Sequence, residues 1–193
     1  ARGDLDAGIQ RRLADAIADF HAAAQPAAAD GGGDAIGAVI DECEVCLRAC
    51  EDAFSPGAVA DLLHRCRAQL AAQTPLLDRR RAIGKVRRCH GDLHLKNICL
   101  IDGRPVLFDC LEFSEPMATT DVLYDVAFLI MDLIHRGLRD AACAVLNRYL
   151  DRTGDVGGLA ALPLFLALRA AIRAHISAAG NADPPEARAY LSL

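Results

Sequence analysis

The sequence predicts a mainly α-helical fold with one small β-hairpin set into it, on three observations. Apolar residues recur at helical spacing along most of the 193 residues. One stretch breaks that rhythm: the apolar runs 98–101 and 106–108 flank a turn containing Asp102-Gly103, a strong short-range hairpin signal. Segment 122–134 is apolar almost all round, as a helix buried in the middle of a domain is.

The length suits one domain or the larger lobe of a two-lobed one. Hydrophobic residues make up 53%, enough for a sizeable core. A net charge of −5 points to neither a nucleic-acid nor a membrane-surface partner. Aromatics at 5% and the absence of Trp argue against base-stacking platforms. There is no run of eighteen apolar residues and no charged-then-apolar leader. Eight cysteines without a disulfide-framework spacing read as reduced thiols. The expected location is the cytoplasm.

Taken in order, residues 5–24 carry Ile9, Leu13, Ile17 and Phe20 at helical spacing, an amphipathic helix. Gln25-Pro26 through Gly31-Gly32-Gly33 reads as a flexible linker; the glycines lack the spacing of a phosphate-binding loop. A second helix is expected over 34–54. Its Cys43, Cys46 and Cys50 share one face, which suits core packing better than a metal site without paired knuckles. Ser55-Pro56 starts a third helix, with Leu62, Leu63, Cys66, Leu70 and Leu77 on one face and a break expected near Thr74-Pro75. Arg79, Arg80, Arg81, Lys85, Arg87 and Arg88 form a basic cluster that either neutralises nearby acids or attracts an anionic substrate.

Beyond the hairpin, Thr119-Thr120-Asp121 is a helix start. Asp121 and Asp125, one turn apart on a buried helix, need partners. One of them is expected to accept hydrogen bonds from the backbone of the loop at 89–97; the alternative is a cap and dipole role alone. Helices follow over 138–151 and 158–179, the latter bearing Arg169 and Arg173, and a short one begins near Asp183. No internal repeat is present.

The chemistry concentrates between Cys89 and Phe113. His90, Asp92, His94, Lys96 and Asn97 crowd into eight residues, and Asp109 and Glu112 leave the second strand of the hairpin. A polar loop followed by a tight hairpin brings Asp92, Asn97 and Asp109 together as hard-oxygen donors suited to magnesium. A loop Asp five residues before an Asn, with a second Asp past a hairpin, is the arrangement kinases use for phosphoryl transfer.

His90-Gly91-Asp92-Leu93-His94-Leu95-Lys96-Asn97 followed by Phe108-Asp109 resembles the catalytic core of the aminoglycoside phosphotransferase family, small-molecule kinases of protein-kinase-like fold. The resemblance implies that the chain is the C-terminal lobe of that fold, one unit over 1–193 with its catalytic loop and hairpin at 89–113. It implies ATP and Mg2+ as cofactors and a small-molecule hydroxyl as acceptor. Asp92 would align the hydroxyl and take its proton, and Asn97 and Asp109 would hold the metal. His94 would donate to the γ-phosphate or brace the loop, and His90, Asp121 and Asp125 would support it. Glu112 would add a metal or acceptor contact; the glycine of Asp-Phe-Gly is missing here.

Residues 108–113, 121–129 and 168–174 resemble one bacterial branch, often followed by a P-loop ATPase domain, so such a domain is expected after Leu193. Kinases of this fold grip ATP with a preceding β-rich lobe. No Val-Ala-x-Lys strand precedes Cys89, so that lobe is expected to be absent and the fragment alone weak or inactive. Two other readings remain open. One is a non-catalytic kinase-like regulatory module. The other is a hydrolase with a transition metal on His90, Asp92, His94 and Asp109. Among acceptors, a sugar, an aminoglycoside or another alcohol would fit; Glu112, Glu115 and Asp121 suit either a cationic acceptor or metal handling.

Overall fold

The computed structural model describes residues 5–50, 52–111, 118–180 and 184–192. Helix α1 (Ala7–Ala23) starts where the Asp6 carboxylate accepts the Ile9 amide at 2.8 Å, and it buries Leu13, Ile17 and His21. Helix α2 is Gly32–Arg48, so the triple glycine is no flexible linker. Gly31 and Gly32 have φ of 79° and 77°, and a Cβ on Gly31 would stand 2.6 Å from Val86 Cγ2. The Gly33 amide donates to Asp78 at 3.1 Å, which fastens this turn to the third helix. The predicted extension of α2 to residue 54 is also corrected, because the helix stops at Arg48.

Helix α3 runs unbroken over Pro56–Ala82, capped by Ser55, which accepts the Ala58 amide. The expected break at Thr74-Pro75 does not occur. Pro75 removes one backbone donor. Leu77 and Arg80, each 2% exposed, anchor the helix in the core beyond the proline. Tertiary docking outweighs the local preference.

Among the described residues two antiparallel pairs of strands are formed, where one hairpin was expected. The expected one joins β2 (Ile98–Ile101) to β3 (Arg104–Leu107), with Ile98 opposite Leu107. Asp102 and Gly103 between them have φ of 50° and 71°, as a type I′ turn needs. The unexpected pair is β1 (Val86–Arg88) with β4 (Thr119–Asp121), in register Val86 opposite Asp121. It brackets the catalytic loop and the hairpin between two adjacent strand ends.

Helix α4 (Val122–His135) is buried from Val122 to Leu133. Around it pack α5 (Arg139–Thr153), which also meets α1, and α6 (Leu162–Ala179), which meets α2. A 3-10 stretch, Asp155–Ala161, precedes α6, and α7 (Pro184–Leu191) lies against α6. Residues 155–179 reach a mean hydropathy of 1.6 and are long enough to cross a membrane, yet 56% of that window is buried in the protein. Leu164, Phe165 and Leu168 of this helix belong to the core.

Candidate active site

The loop between β1 and β2 is pinned from below by α4, which is buried nearly throughout. Asp125 is fully buried and its carboxylate accepts the His90 amide at 3.1 Å and the Gly91 amide at 2.9 Å. Seven residues on, on the same helix face, Asp132 accepts the Leu95 amide at 2.9 Å. Gly91 has φ 82°, and a Cβ there would stand 2.7 Å from Leu111 Cδ1, so only glycine fits.

His90 accepts the Asp92 amide on Nδ1 and therefore donates from Nε2, here to the Phe108 carbonyl at 2.8 Å. The Leu111 amide returns a bond to the His90 carbonyl at 3.0 Å, and the Phe108 amide donates to the Asn97 carbonyl at 3.1 Å. The backbone on either side of Asp109 is thus sewn to the catalytic loop. Both nitrogens of His90 are committed to backbone, so it is not free to serve as the transition-metal ligand that the hydrolase reading asks of it.

Asp92 sits half-buried above this support. The Asn97 amide group donates to its carboxylate at 2.9 Å and to its carbonyl at 3.0 Å. His94 takes the Lys96 amide on Nδ1, which leaves Nε2 to face Asp92 Oδ2 at 3.3 Å. Phe128 meets the His94 ring edge-on, with centroids 5.3 Å apart. Burial alone would raise the Asp92 carboxyl, but the hydrogen bonds from His94 and Asn97 and nearby positive charge outweigh it and hold it below the ordinary carboxylate range.

Asp109 is exposed and adopts φ 58°, an uncommon conformation for a residue other than glycine. Asn97 uses its NH2 on Asp92, so its carbonyl oxygen is the atom left for a cation. An amide oxygen and an exposed carboxylate are the donor chemistry that magnesium takes. Glu112 and Glu115 lie outside the described residues.

Asp121 does not touch the catalytic loop. It caps α4, accepting the Leu123 amide at 2.8 Å, and forms a two-pronged ion pair with Arg80 at 2.7 and 2.8 Å. Arg80 makes a second fork on Asp155, 2.7 and 2.8 Å long. Asp121 is therefore unavailable to a cationic acceptor, and it supports the loop only through β4. Arg87 donates to the carbonyls of His21, Ala22 and Ala24 at the C-terminal end of α1. In the basic cluster, Arg80 and Arg87 thus neutralise acids and carbonyls within the fold. The helix cysteines diverge in environment: burial pushes the Cys43 thiol up to about 12, whereas Cys46 and Cys50 are partly exposed.

Sequence reasoning missed two residues behind the loop. His21 of α1 bonds Asp125 Oδ2 at 3.0 Å and the Tyr149 hydroxyl at 2.9 Å. The signal was a histidine four residues after Ile17, on the apolar face of α1. Asp132 was visible as an acid inside an apolar helix, in phase with Asp125.

The fold and the loop define the class, and the chain belongs to the phosphotransferase enzyme family, whose model matches residues 4–165. Uncharacterised proteins of Mycobacterium bovis and Mycobacterium tuberculosis are 39% identical to it over 87 residues, 45% of this chain and 18% of each of theirs. The matched segment therefore spans about a fifth of the length of those curated relatives. A solved glucosamine kinase (crystal form B) superposes on all of this chain with a TM-score of 0.66 at 18% identity, matching 54% of that kinase. At that identity the likeness establishes a kinase-like fold.

Proposed function

We propose that this chain supplies the catalytic lobe of an ATP-dependent phosphotransferase acting on a hydroxyl of a small molecule, in the cytoplasm. The observation that carries this reading is Asp92, ionised and oriented by Asn97 and His94 on a loop fixed by buried carboxylates. Asp92 aligns the acceptor hydroxyl and takes its proton late; a loose transition state asks little basicity of it. His94 Nε2 faces Asp92 Oδ2 at 3.3 Å and would be the side-chain donor offered to a transferring phosphoryl oxygen. Asn97, through its free amide oxygen, and the exposed carboxylate of Asp109 would hold magnesium, which would supply neutralisation of charge developing on the phosphate oxygens. Amino sugars are one class of acceptor, suggested by the glucosamine kinase fold match. The nucleotide-gripping lobe and a downstream P-loop ATPase are expected elsewhere in the encoded protein.

The test is phosphate transfer from ATP by the protein as encoded, against a panel of sugars, amino sugars and aminoglycosides. Asp92→Asn is expected to lower kcat by at least about 100-fold, the range for loss of a general base. An unchanged rate would leave a kinase-like module without this chemistry.

A further inference from the structure

Arg169 of α6 is 6% exposed and lies beneath the catalytic loop. Its Nε donates to the Tyr124 carbonyl at 3.2 Å, and its guanidinium carbon stacks 3.9 Å from the Tyr124 ring centroid and 4.7 Å from that of Phe128. Among the described residues its Nη2 is buried without a hydrogen-bond partner, 4.0 Å from Asp125 Oδ1. A guanidinium held only for packing would be better replaced by an apolar side chain, since desolvating a charge without full pairing is unfavourable. What distinguishes this placement is its electrostatic consequence. Asp125 is a buried anion whose two oxygens are engaged by the His90 and Gly91 amides and by His21. Arg169 is the permanent cation set against it, and Phe128, over which it lies, also meets His94.

We propose that Arg169 is a positioning residue for the loop at 89–97: its guanidinium, held over the Tyr124 and Phe128 rings, is the counter-charge that keeps the Asp125 carboxylate clamped on the His90 and Gly91 amides. The stacking fixes the guanidinium beside the carboxylate without occupying the oxygens that the loop amides need. A direct bidentate pair would compete for those oxygens. The kinetic part of this inference rests on the phosphotransferase reading; the structural part stands without it.

The experiment compares Arg169→Gln, which keeps a donor for Tyr124 but no charge, with Arg169→Lys, which keeps the charge. Hydrogen exchange at His90 and Gly91 is read alongside the centre of α4, and kcat and KM are read on the protein as encoded. Arg169→Gln is expected to speed exchange at the two loop amides by about 10- to 100-fold with α4 unchanged, and to lower kcat by a similar factor with KM nearly constant, as for outer-layer partners of a site. Arg169→Lys should restore both. Wild-type exchange in Arg169→Gln overturns the proposal, as does equal acceleration along α4. If Arg169→Gln does not fold, Arg169→Lys decides: wild-type loop exchange upholds the proposal and accelerated exchange overturns it. If the wild-type protein transfers no phosphate, the functional reading fails while the exchange data still decide the role of Arg169.

Discussion

Among the described residues two arginines are buried beside aspartates, and they are used in opposite ways. Arg80 makes four short bonds, forking onto Asp121 and Asp155, and ties α3 to β4 and to the 3-10 stretch before α6. Burial alone would lower its pKa, but the two carboxylates raise it above its ordinary value, so it is a fixed charge at every pH of interest. Arg169 makes one bond to a carbonyl, keeps an unpartnered Nη2 and stands 4.0 Å from Asp125. The first network is saturated and holds elements together. The second leaves its carboxylate to the loop. The difference teaches where this fold places rigidity and where it reserves acceptor capacity for a site.

Breaking the saturated network should have the largest effect. Arg80→Met strands two buried carboxylates and is expected to lower stability by about 3–5 kcal/mol in urea titration, the range for removing one partner of a buried pair. Asp125→Asn comes next. It keeps the shape but brings an NH2 against amide donors, at about 1–3 kcal/mol for donors left unsatisfied. Its signature is faster exchange at His90 and Gly91, whereas Arg80→Met should loosen the β1–β4 pair.

Acid separates the networks further. Burial works to raise the Asp125 carboxyl, but His21, Arg169 and His90 together hold it below the ordinary carboxylate range. A lowered folded value means that its stabilisation is complete above the unfolded value and is lost as pH falls through the folded one. Urea midpoints measured from pH 5 to pH 2 should therefore fall more steeply for wild type than for Asp125→Asn. The smallest effect lies outside both networks: Ser55→Ala removes the α3 cap and should cost about 1 kcal/mol.

The helices and the hairpin were legible because their signals are local: the period of apolar residues, Ser55-Pro56, and Asp102-Gly103. The β1–β4 pair was not, because three-residue strands some thirty residues apart carry no local pattern. Pro75 and the triple glycine misled for the opposite reason. Each has a strong local preference that Leu77, Arg80 and Asp78 override from elsewhere in the fold. In the site, Asp92 and Asn97 were legible from their spacing as neighbours, and they bond at 2.9 Å. His21, Asp132 and Arg169 were not legible as partners, since only tertiary packing decides which buried polar group meets which.

The most direct test of the proposed metal site shared by Asn97 and Asp109 is paramagnetic broadening by Mn2+ with ATP, read on backbone amide resonances. Residues 92–97 and 108–110 should broaden together at low metal, and Asn97→Ala and Asp109→Asn should each abolish the effect in both segments. Broadening confined to one segment, or surviving both substitutions, would contradict a site shared by the loop and the hairpin exit.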